Sequence, residues 1–111
     1  MAAGIGANPR QRALVTPVLA ALDPAVPAVI LGGNEPAGTL SPDVLYPVAA
    51  RATFAWTAAE LPSRAAAPRL DVICLEAERP AAEAARGEVA KVLLERPRNE
   101  GGRIYVLRFG S

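Results

Sequence analysis

Asp71, Glu76 and Glu78 are the closest this sequence comes to a catalytic constellation. Paired carboxylates divide general acid and general base work when their surroundings push their proton affinities apart. Asp71 and Glu76 are five positions apart, so on one extended strand their side chains leave opposite faces. That geometry suits neither a shared metal nor an acid/base pair. Glu76 and Glu78 can share a face, but they stand at a strand exit beside Arg79 and read as a solvated rim. Cys74 lies between Ile73 and Leu75. A thiol attacks only as a thiolate, which needs a base or a positive microenvironment; with neither beside it, Cys74 reads as a small buried hydrophobe. The chain contains no histidine, which removes the commonest general base, the usual Ser and Cys triads and most zinc sites together. No catalytic, cofactor-binding or metal-binding residue is therefore assigned, and the chain reads as non-enzymatic.

The remaining motifs are weighed in the same way. Gly32, Gly33 and Gly38 surround Asn34 and Glu35, but a phosphate loop needs the Walker lysine and hydroxyl or a GxGxxG opening a helix. This is a turn. Arg96, Arg98, Arg103 and Arg108 are the nearest approach to a basic stripe, with Glu95 and Glu100 among them. Phosphate neutralisation leaves a basic excess, whereas 12 basic and 11 acidic residues give a net charge of +1. Direct sequence-specific nucleic-acid binding is not expected. Phe54 and Trp56 fall on one face of a strand. They read either as core packing or, for Trp56 at the strand end, as an anchor of a subunit interface, where Trp is enriched.

The elements that must position these residues follow from pattern. One domain is expected from 111 residues, with 1–7 a flexible tail and 8–111 a single α/β domain. Five aromatic residues, eleven prolines and an excess of small apolar side chains predict a modest core, which makes burial against partner subunits useful. Arg10 and Arg12 before the apolar run 13–22 suggest a leader peptide. Pro17 and Asp23-Pro24 interrupt that pattern, so the segment is read as part of the fold. No stretch reaches the roughly 20 apolar residues of a membrane span.

Asn8-Pro9 opens a first helix, which Pro17 kinks or splits before Asp23-Pro24 stops it. Strands are predicted at 26–31, 48–56, 70–75 and 103–109. The third, nearly all apolar, is expected to be central. Ala52, Phe54 and Trp56 share one face of the 48–56 strand, and Thr53 and Ala55 the other. The segments 34–43 and 58–68 read as loops. A helix is predicted over 80–95, with Ala82, Ala85, Val89, Val92 and Leu93 as its buried stripe and Glu83–Arg86, Glu88–Lys91 and Lys91–Glu95 pairs outside. The whole is an α+β two-layer sandwich, a mixed sheet of about four strands with two helices in the order α-β-β-β-α-β. The passage 70–109 reads as a parallel crossover.

The stretch Ala21-Leu22-Asp23-Pro24-Ala25-Val26-Pro27-Ala28-Val29-Ile30-Leu31-Gly32-Gly33 resembles the start of the tail terminator (tail completion) proteins of long-tailed phages and gene transfer agents. Leu45-Tyr46-Pro47-Val48 resembles the family's entry into its first long strand, with the tyrosine and proline exchanged. Leu70-Asp71-Val72-Ile73, the helix 80–95 and Ile104-Tyr105-Val106-Leu107-Arg108-Phe109 resemble its closing strand–helix–strand. The resemblance implies a virion protein, assembled in the host cytoplasm. It would form a homo-hexameric ring that ends the tail tube in the neck, between the tube protein and the head-completion (stopper) protein. Cofactor, membrane and chemistry play no part in that role. It also implies subunit contacts through the 34–44 and 58–68 segments, with Asn34, Glu35, Arg51, Trp56 and Arg64 as the contact residues. Three other readings stand beside it: a stopper or connector of the same neck, a ferredoxin-like regulatory or ligand-binding module of a bacterial cytoplasmic protein, and a cofactor-free enzyme using Glu76 or Glu78.

Overall fold

Nearly continuous apolar runs at Ala28–Leu31 and Leu70–Leu75 build a sheet whose central strands are buried on both faces. The structure, a computed structural model, describes residues 16–32, 52–97 and 102–110. Five strands, β1 (Ala28–Leu31), β2 (Thr53–Ala55), β3 (Leu70–Leu75), β4 (Lys91–Pro97) and β5 (Arg103–Phe109), form one mixed sheet in the order β2-β1-β3-β5-β4. Two helices accompany it, α1 over 16–21 and α2 over Arg79–Arg86. The α+β class, the mixed sheet and the two helices are as expected, with β3 at the centre and one strand more.

β1, β2, β3 and β5 each split their side chains between two clusters. Val29, Leu31, Val72, Cys74, Leu107 and Phe109 face Ala82 of α2. Ala28, Ile30, Ile73, Ile104 and Val106 face Val18 of α1 and Leu22 just after it. The register aligns Phe54, Ile30, Ile73 and Val106 in one row across four strands. A helix thus covers each side, and Ile73 and Val106 are wholly buried. Truncating such a side chain costs about 2–5 kcal/mol.

The predicted helix 80–95 is half helix and half strand. Pro80 sits in the first turn of α2, where its missing N–H costs nothing. Gly87, at φ 69°, ends the helix. Its N–H donates to Ala84 O at 3.3 Å and the Glu88 N–H donates to Glu83 O at 3.2 Å, the two bonds of a Schellman motif. Glu83 Oε2 accepts the Ala90 N–H at 2.9 Å, turning the chain outward. Residues 91–97 then extend as β4, where β-branched Val92 is better accommodated. Of the predicted stripe only Ala82 is buried; Ala85 and Val89 are exposed. The expected ion pairs are replaced by Arg79–Glu83, Arg86–Glu88 and Arg103–Glu95, at 3.5, 3.4 and 3.5 Å.

The 70–109 passage is likewise not a crossover from β3 onto β5. Because β5 is antiparallel to both β3 and β4, those two run parallel to each other with β5 between them. The crossover through α2 leads to β4, and β5 turns back into the gap, a split β-α-β arrangement. The predicted 26–31 strand begins at Ala28. Of the predicted 48–56 strand the described part is Thr53–Ala55, with Ala52 and Phe54 packed toward the α1 side and Ala55 buried toward the other. Thr16 and Pro17 are helical. The tail 1–7, the helix start at Asn8, the 34–43 loop and residues 48–51 lie outside the described residues. No helix among the described residues is long and apolar enough to cross a membrane.

Candidate functional site

β2 is an edge strand: β1 is its only strand partner among the described residues. Its chain leaves the sheet at Trp56, which is 60% exposed. The Trp56 and Phe54 rings meet edge to face, with centroids 5.5 Å apart and planes at 77°. Phe54 leans on the α1-side core, so the exposed indole rests on a ring that is itself held. The backbone beneath is fixed by one carboxylate oxygen. Glu60 Oε2 accepts the Trp56 N–H at 3.0 Å, the Thr57 N–H at 2.9 Å and the Thr57 hydroxyl at 3.3 Å. Glu60 ends the 3-10 turn Ala58–Glu60, whose Ala58 is buried under α2. The glutamate reaches back over its own turn as the acid of a capping box does.

Of the two readings of Trp56, core packing is overturned: the residue lies one position past the strand, where its ring has left the covered face. Arg64 is exposed, with its Nε 3.5 Å from Oε2 of half-buried Glu88. Asn34, Glu35 and Arg51, and the 34–44 segment, lie outside the described residues. The 58–68 segment is part core and part surface, since Ala58 and Leu61 are buried while 63–66 are exposed. Beside β2 a cleft of ≈ 450 Å³ opens between Pro27, Ala52, Thr53 and Pro62, and none of the described residues lining it is titratable.

The groups with chemical potential are tied to one another. Asp71, set apart above from Glu76 by the strand geometry, is fully buried. Its two oxygens accept Arg108 Nε at 2.8 Å and Nη2 at 2.9 Å, and Oδ2 also accepts the Asp23 N–H at 3.4 Å. Asp71 and Arg108 are register partners on adjacent strands, which places them on one face. Hydrogen bonding to Asp71 raises the Arg108 guanidinium further above its ordinary range, against a smaller opposing effect of burial. Glu76 is exposed, Glu78 half-buried, and both lie in a turn past the end of β3. Cys74 is buried, and desolvation, with Glu78 adding to it, pushes its thiol up to about 12. Among the described residues no group of three His, Cys, Asp or Glu side chains is arranged to hold a metal ion.

Sequence reasoning missed Arg86. Its side chain is buried at the end of α2. Nη1 donates to Pro62 O at 2.8 Å and Nη2 to Pro68 O at 3.4 Å, and the guanidinium lies 5.4 Å from the Phe109 ring centroid. Glu88 Oε1 accepts the Gly110 N–H at 3.0 Å. Helix end, 62–68 segment and the exit of β5 are stitched together by these two side chains. The spacing gave no sign of this, because a helical reading places Arg86 on the outer face. The basic run is compensated locally as well. Arg108 is bound to Asp71, Arg103 lies beside Glu95, and Arg96 donates to the Glu95 carbonyl at 3.0 Å; Arg98 lies outside the described residues.

Fold and surface together define an α+β domain whose described ionisable groups mostly serve one another, and in which the most exposed aromatic among the described residues, Trp56, stands at a sheet edge. No protein-family model, no curated protein and no solved structure matches the chain.

Proposed function

We propose that this chain is an assembly subunit that joins further copies of itself through the edge of β2, which pairs only with β1 among the described residues, and the Trp56 surface beside it. The observation carrying this reading is Trp56, 60% exposed yet held by Phe54 and by a backbone pinned at Glu60. A large ring presented with little freedom loses little entropy on docking, and Trp is the residue most often found to dominate interface energetics. The two sheet edges differ in a way that favours β2. β4 carries Lys91, Pro97 and a register shift between Val92 and Leu94, three features that discourage strand addition. A contact between the β2 edge of one copy and a different patch of the next is heterologous, so repeated copies close into a ring or run on as a fibre.

The specific form of this proposal is the ring that ends a phage-type tail tube, set in the virion neck between tube protein and stopper. It is supported by the sequence likeness over 21–33, 45–48, 70–73 and 104–109, while the 80–95 segment, a helix in that likeness, is half helix and half strand. The test is sedimentation velocity of the wild type and of Trp56→Ala, with circular dichroism to verify that the variant is folded. Self-association of the wild type, weakened in the variant by about thirtyfold for a hot spot of about 2 kcal/mol, is the expected result. A wild type that stays monomeric both alone and with tail tube protein overturns the proposal. Electron microscopy then separates the two levels: six-fold rings that halt tube growth fit the terminator, while dimers or open fibres leave assembly standing and remove the tail reading.

A further inference from the structure

We draw no further inference here: the strongest candidate, the corner beside edge strand β2 where exposed Trp56 rests on half-buried Phe54, belongs to the surface already described, and nothing in the structure shows what covers it.

Discussion

Replacing Arg108 with alanine should destabilise the fold more than replacing Asp71, although the two side chains share the same pair of hydrogen bonds. The Asp71 side chain is fully buried, whereas Arg108 keeps 18% of its side-chain exposure. In Arg108→Ala the carboxylate is stranded with the Asp23 N–H at 3.4 Å as its remaining neutral donor, and breaking a buried pair in this way costs about 3–5 kcal/mol. In Asp71→Ala the guanidinium can turn its long stem outward and regain water, so the cost falls to about 1–3 kcal/mol. A difference of about 2 kcal/mol corresponds to roughly 8 °C in Tm for a domain of this size. Urea denaturation followed by circular dichroism measures both variants, with equal slopes required for the comparison. The double variant Asp71→Asn, Arg108→Ala should be more stable than Arg108→Ala alone, because a neutral amide does not carry the stranded charge. If Asp71→Ala proves as costly as Arg108→Ala, or both fall below about 0.5 kcal/mol as exposed pairs do, the burial argument is wrong.

Three further outcomes are expected. Gly110→Ala should be far more damaging than Gly87→Ala. Both glycines have positive φ, which costs an alanine about 1–2 kcal/mol, but a Cβ on Gly110 collides with the Pro68 carbonyl while one on Gly87 meets nothing within 4 Å; thermal melts of the two variants decide it. The Cys74 thiol titrates at about 12 in the folded chain against an ordinary value of 9.0. The folded state therefore holds this proton where the unfolded state has lost it. Stability should fall across that pH window by up to about 1.4 kcal/mol per pH unit more in the wild type than in Cys74→Ala, as paired denaturation curves would reveal. Finally, Glu60→Ala should lower the fluorescence anisotropy of the single tryptophan with little change in Tm, since three hydrogen bonds that order Trp56 and Thr57 end on that carboxylate; unchanged anisotropy would mean the indole is ordered by Phe54 alone.

The two strands with the least ambiguous patterns, 70–75 and 103–109, were legible to the residue, because the apolar runs are bounded by turn-forming or charged positions. The 80–95 helix was not. Its apolar spacing fits a helix, but one glycine in the left-handed region and β-branched Val89 and Val92 beyond it outweigh periodicity. The hairpin of β4 and β5 follows from that one residue, and with it the misread crossover. Asp71 was visible as an acid inside an apolar strand, and Arg108 as a base inside another. Their pairing was hidden because it depends on strand register, which no local pattern specifies. Arg86 was hidden for the opposite reason: its partners are backbone carbonyls, which leave no signature in side-chain types. Trp56 stayed open between core packing and interface anchor, because alternation puts it on the apolar face of its strand and does not show where the covered face ends.

The late position of β5 has a consequence for how the molecule comes into being. The strand that fills the middle of this half of the sheet is made after both of its neighbours, so β3 and β4 must wait with their facing edges open until Arg103–Phe109 leaves the ribosome. During that interval Val72, Ile73 and the bulged edge of β4 are available to any other chain in the same condition. Nascent chains are consequently most vulnerable to mispairing between the emergence of β4 and that of β5, and slower elongation at that stage would lengthen the exposure rather than relieve it.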